Sequence, residues 1–143
     1  MRAPRACSLL ACLSLLLLVA CGGGRKADLG DTLRDFNQQV RWGSWMAAAR
    51  HVDAKSRSGW LRARVVAAAS LRVTDVQLLG VQPQSEDTAI VLVGVSWYRV
   101  TDPTLRQRIW QQTWRYDDEV WLLAEEVVVQ QQTEPQKPAA AWP

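Results

Sequence analysis

Arg108, Gln112 and Glu125 are polar side chains set among Trp97, Trp110, Trp114 and Trp121, in a stretch that otherwise reads as β-strand. A carboxylate enclosed by apolar surface favours its protonated form and can serve as a general acid or base. Glu125 is the candidate for that chemistry. The plainer account is an ion pair between Glu125 and Arg108, and it is preferred, because ion pairs perturb acids as readily as catalysis does. His51 is the sole histidine, and beside Val52 and Asp53 at a helix end it reads as a partner for the helix dipole. His51 and Asp53 alone supply too few ligands for a metal. Asp117, Asp118 and Glu119 read as a solvated turn, since three adjacent carboxylates on one loop lack the further oxygen donors a cation needs. No catalytic residue, metal site or cofactor is therefore assigned.

Those side chains share a face only if the elements carrying them place them there. Asp31 is a plausible N-cap for a first helix, with Leu33, Phe36 and Val40 along one stripe, and Gly43 ends it. Ser44 caps a second short helix, Trp45 to Val52, whose Ala47, Ala48 and Ala49 permit close approach of a neighbour. A third begins near Ser58 and turns Trp60, Leu61, Val65 and Ala68 or Ala69 inward. Four strands follow: Leu71 to Val81, Thr88 to Val100, Thr104 to Tyr116, and Val120 to about Val128. Polar Gln84 to Asp87, Asp102-Pro103 and Asp117-Asp118 separate them, so consecutive antiparallel hairpins are the economical arrangement.

Side chains alternate across a strand, so the turn centres decide the faces. Centring one turn on Asp102-Pro103 sets Trp97 opposite Arg108 and Val95 opposite Trp110. Centring the next on Asp117-Asp118 sets Trp114 opposite Trp121, Gln112 opposite Leu123, and Trp110 opposite Glu125. One face then collects Val91, Val93, Val95, Trp97, Trp110, Trp114, Trp121 and Leu123, and should receive the helices. The opposite face, which includes Ile90, Leu92, Gly94, Ile109 and Leu122, is too apolar at its centre for plain exposure. A partner sheet, from another protein or a second copy, is expected to cover it. The richness in large rings, eight tryptophans against one phenylalanine, is read first as core and second as a binding cleft.

Three helices followed by a meander that ends in Thr113-Trp114-Arg115-Tyr116-Asp117-Asp118-Glu119-Val120-Trp121 resemble the NTF2-like α+β cone family, from about Asp28 to Val128. Val40-Arg41-Trp42-Gly43-Ser44-Trp45 with Ala47 to Ala49 is similar to uncharacterised lipoproteins of that fold. The alternative is another helix-on-sheet arrangement, such as a cystatin-like one. The resemblance implies a curved antiparallel sheet and a ligand space between helices and concave face, with Trp97, Arg108, Trp110, Gln112, Trp114, Trp121 and Glu125 as the candidate pocket. It does not supply a reaction. Isomerase members join a base to a tyrosine and a second acid, and Tyr98 and Tyr116 are poorly placed for that. Dehydratase members join a histidine to an aspartate.

At the N-terminus, Arg2 and Arg5 precede an apolar stretch from Leu9 to Ala20, too short to span a bilayer comfortably. Leu18-Val19-Ala20-Cys21 resembles the bacterial lipobox. The resemblance implies cleavage before Cys21, a diacylglycerol thioether on its sulfur, and palmitate-type acylation of the new N-terminus. Two or more chains anchor stably where one does not. Gly22, not aspartate, follows Cys21, which in a diderm host implies the outer membrane facing the periplasm ahead of the inner membrane. Processing removes Cys7 and Cys12, leaving no free thiol for a disulfide or metal site once Cys21 is lipidated. It also removes Arg2 and Arg5, so charges nearly balance, which argues against nucleic acid as a partner.

The organisation expected is a signal peptide (1–20), a lipidated cysteine and flexible tether (21–30), the α+β domain (31–128), and a disordered Gln/Pro/Ala tail (129–143). Two function classes remain. The favoured one is a membrane-anchored, non-enzymatic envelope lipoprotein that binds a protein or stabilises an assembly. The alternative is a small-molecule binder or an NTF2-like enzyme using a Trp-lined cone.

Overall fold

A computed structural model describes residues 25–133. The expected signal peptide, Cys21, residues 22–24 of the expected tether and residues 134–143 of the expected tail lie outside the described residues. The chain runs α1 (Arg25–Arg41), α2 (Trp45–Ala48), a 3-10 turn (Ala49–His51), α3 (Ala54–Ala68), then β1 (Leu71–Pro83), β2 (Thr88–Arg99), β3 (Asp102–Asp117) and β4 (Val120–Thr133). The four strands form one antiparallel sheet in the order β1-β2-β3-β4. The helices lie across its concave face, giving the α+β arrangement expected. Among the described residues, no helix is long and apolar enough to cross a membrane.

Helix α1 starts at Arg25, inside the segment expected to be tether, and buries Leu29, Leu33 and Phe36 along one stripe. That spacing of four and three residues is one face of an α-helix, set against the sheet. Gly43, at φ 69°, makes the left-handed turn that ends it. Ala48 and Ala49 are buried, and with no side chain beyond Cβ they let the short helical segment approach the sheet closely. Val52 forms a parallel bridge to Leu123, and the Asp53 amide donates to the Leu123 carbonyl at 2.9 Å. Asp53 then caps α3, accepting from the Lys55 amide at 2.9 Å. The third helix therefore begins at Ala54, four residues before Ser58. It turns Trp60, Arg64, Ala67 and Ala68 towards the sheet, whereas Val65 is 53% exposed and does not face inward.

The turns fall elsewhere than expected. Between β2 and β3, Arg99 pairs with Asp102 around Val100 and Thr101. Pro103, which has no amide hydrogen for the ladder, sits in an irregular stretch where the Asp102 carboxylate accepts from the Thr104 amide and hydroxyl. Val95 consequently faces Arg108, Val93 faces Trp110 and Trp97 faces Arg106. This is a slip of two residues, which preserves the faces. Between β3 and β4 the turn residues are Asp118 and Glu119, both with positive φ, as a two-residue hairpin turn requires. Trp114 therefore pairs with Leu123, and Trp121 with Tyr116.

Four register shifts each add one residue to an outer strand: Thr74 and Leu79 on β1, Ala124 and Val129 on β4. These bulges bend the edges. β4 continues to Thr133, so residues 129–133 are strand and not tail. The core gathers Leu29, Leu33, Phe36, Val52, Val91, Val93, Trp114, Trp121 and Leu123 between helices and sheet. Phe36 meets the Trp114 ring edge-on at 5.2 Å, a favourable aromatic geometry.

Candidate functional site

The bulge at Ala124 decides which glutamate enters the cone. Without it, the alternation after Leu123 would turn Glu125 inward; with it, Glu125 pairs with Thr113, and Glu126 with Gln112. Glu125 is exposed, borders an open groove with Ser56 and Ala63, and forms no ion pair with Arg108. The acid of the site is Glu126, its side chain 9% exposed.

Glu126 is surrounded by donors. The Gln112 amide donates to Oε1 at 2.9 Å, Trp60 Nε1 donates to Oε2 at 3.2 Å, and the Arg64 guanidinium pairs with the same Oε2. Gln112 is itself fixed, since its Oε1 accepts from Trp114 Nε1 at 3.0 Å. Every buried polar atom of this chain of contacts has a partner, which is the condition for burying it without a large penalty. Arg64 comes from α3, so the network ties helix to sheet.

A second pattern runs across the sheet. The guanidinium of Arg64 lies 5.1 Å from the Trp60 ring and 4.7 Å from the Trp110 ring. Arg108 lies 5.9 Å from Trp110 and 5.4 Å from Trp97, and Arg106 lies 5.5 Å from Trp97. Indole and guanidinium thus alternate over six side chains, each step within cation–π range. Arg64 is neutralised by Glu126 and Arg106 by Asp102, whose carboxyl Arg106 and Thr104 hold well below the usual carboxylate range. Arg108 has no such partner among the described residues; its buried Nε makes no hydrogen bond.

The alternating side chains from Trp60 to Trp97, but not Arg106, line a cavity of about 120 Å³ between α1, α3 and the sheet, together with Gln112 and Glu126. Trp45, Trp60, Trp97 and Trp110 form its aromatic walls, and valines of β1 and β2 the aliphatic ones. Asn37 reaches it from α1, with a buried Oδ1 that also lacks a partner. Of the residues singled out from the sequence, Trp97, Arg108, Trp110 and Gln112 line the cavity. Trp114 and Trp121 are packed into the core instead. Sequence reasoning missed Glu126, Arg64 and Asn37; the Trp60-to-Arg64 spacing along one helical face was the signal available for Arg64.

His51 pairs with a different acid from the neighbour considered. Its Nε2 lies 2.8 Å from Asp35 Oδ2 on α1, and that hydrogen bond, helped by one from Gln39, lowers the Asp35 pKa. The pair borders a surface depression with Arg50 and Glu119, away from the cavity. Among the described residues, no group of His, Cys, Asp and Glu converges in a way that would hold a metal ion.

No protein-family model matches the chain, and no curated protein matches it. Solved structures share its fold. A ketosteroid isomerase-like protein from Erwinia carotovora atroseptica superposes with TM-score 0.59 at 9% identity, over 73% of this chain and 95% of that one. An NTF-2 like protein of unknown function from Shewanella oneidensis gives 0.57 at 11% identity, over 72% and 97%. A domain of unknown function with a cystatin-like fold from Nostoc punctiforme gives 0.55 at 12% identity, over 76% and 78%. The chain therefore has the three-helix, four-strand architecture that NTF2-like and cystatin-like proteins share.

Proposed function

We propose that this chain is a membrane-anchored, non-enzymatic lipoprotein of the cell envelope that acts as a protein-binding, assembly-stabilising module. Leu18-Val19-Ala20-Cys21 behind a basic and then apolar leader supports the anchor, with Gly22 favouring the outer membrane facing the periplasm. The observation that carries the non-enzymatic reading is that Arg64, Trp60 and Gln112 together hold both carboxylate oxygens of Glu126. A general base must offer a free lone pair to its substrate, and this carboxylate is committed to structure.

The binding surface in this reading is the convex sheet face. Ile90, Leu92, Gly94 and Ser96 of β2 lie beside Thr113, Gln111, Ile109 and Gln107 of β3, with no charge among them. Leu79 of β1 packs over Gly94, where a Cβ would lie 3.4 Å from Leu79 Cδ1. A second copy is the fitting partner. The uncharged centre of this face, made of apolar and amide side chains, has no sign for a charged partner to complement, but it can meet itself across a twofold axis.

Mass spectrometry of the native protein is expected to find residues 1–20 removed and a diacylglycerol thioether on Cys21; an intact leader or unmodified thiol would overturn the anchor. Sedimentation of the purified protein is expected to show a dimer that Leu92→Glu converts to monomer. A strict monomer at high concentration would overturn the self-pairing.

A further inference from the structure

We propose that the aromatic cavity binds a small monoanion with an apolar body, a carboxylate of the aryl or short alkyl kind, gripped by Arg108. The site stands apart from the convex face and does not depend on its pairing.

The middle cation of the indole–guanidinium stack is the one left without a counter-charge. Arg64 and Arg106 each hold a carboxylate of the protein, and Arg108 holds none among the described residues. A buried donor with no acceptor costs about 1–3 kcal/mol, a penalty that an incoming acceptor would relieve. The stack also shapes what can come in. Trp97 and Trp110 lie within cation–π range of the guanidinium carbon, at 5.4 and 5.9 Å, and such contacts leave the N–H groups, which lie in the guanidinium plane, for an acceptor such as a carboxylate.

The cavity's size and lining select the rest of the ligand. A volume of about 120 Å³ is close to that of engineered apolar cavities, roughly 150 Å³, that admit one benzene ring. Its walls of indole and valine favour an apolar body and penalise a dianion, whose second charge would have no partner. Asn37 supplies a second polar contact, because its amide can turn either oxygen or nitrogen inward to meet a carboxylate oxygen or an adjoining hydroxyl.

Benzoate is the probe, titrated into the full mature protein and followed by tryptophan fluorescence and calorimetry. Benzamide serves as its neutral counterpart, and inorganic phosphate as the anion without an apolar body. Saturable benzoate binding is expected, with benzamide at least about tenfold weaker and phosphate showing no saturation. Arg108→Met should weaken benzoate at least about tenfold while the protein unfolds at an equal or higher temperature, since a guanidinium without a counter-charge has been removed. A residue serving only to hold the fold would lower that temperature. Should Arg108→Met not fold, Arg108→Lys keeps the charge but loses the planar fork, and is expected to bind benzoate several-fold more weakly. The proposal is overturned by no saturation up to about 10 mM benzoate, by equal binding of benzamide or saturable binding of phosphate. Undiminished benzoate affinity in the folded Arg108 variant tested also overturns it.

Discussion

β2 sends Val91 and Val93 to one side of the sheet and Ile90 and Leu92 to the other, residues of nearly the same hydrophobicity. Val93 is 1% exposed and Leu92 38%. The difference comes from cover, because three helices lie over the concave face and, among the described residues, nothing lies over the convex one. Apolar alternation therefore specifies that a strand has two usable faces, while helix placement decides which becomes core. The concave face also holds all of the site's buried charge, with one carboxylate fully engaged and one guanidinium not.

The strongest way to break this contrast is to remove a ring from the covered side. Trp114→Ala takes out a fully buried indole and the donor that orients Gln112, and is expected to lower unfolding free energy by about 3–5 kcal/mol in denaturant titration. Glu126→Gln leaves Arg64 without its counter-charge. Because Arg64 is partly solvated, a loss of about 2 kcal/mol is expected, below that of a fully buried pair. Glu125→Gln, one residue away, should change stability by less than about 0.5 kcal/mol. Equal effects from the two glutamate variants would mean that the bulge at Ala124 is misplaced.

On the open side, Leu92→Ser should cost the isolated chain less than about 1 kcal/mol, measured at a concentration where it is monomeric. A larger loss would mean that the face is covered from within. Asp35→Asn is expected to cost about 0.5 kcal/mol near neutral pH, as for an exposed pair. The folded-state pKa of Asp35 is lowered from 3.8 by its hydrogen bond to His51. Its contribution is therefore present above that value and lost as pH falls through the lower folded pKa. The stability difference between Asp35→Asn and the parent should vanish in strong acid; a difference persisting there would remove the assignment.

Much of this was legible from local pattern. Leu33 and Phe36 marked the buried stripe of α1, and polar breaks marked four hairpin-linked strands. The faces of β2 and β3 came through although the register slipped, because the slip was of two residues. Glu126 was not legible, since one extra residue at Ala124 inverts everything after it and nothing in Leu123-Ala124-Glu125-Glu126 announces a bulge. Arg64 was hidden for another reason. A charged residue on a helix reads as solvent-facing unless its partner is known, and Glu126 lies 62 residues further along the chain. The cap at Asp53 was overlooked because the same residue was weighed beside His51.

The four bulges of β1 and β4 sit on the two edge strands, whose rims are unpaired among the described residues except where Val52 bridges Leu123. A foreign strand zipping along either rim would meet a kink within a few residues, so endless edge-to-edge growth into fibres is disfavoured. In the middle of the sheet the β2–β3 ladder runs unbroken from Thr88 to Trp97, its register shift falling beyond Trp97 beside the turn, and a molecule built this way stacks as a closed pair more readily than it polymerises.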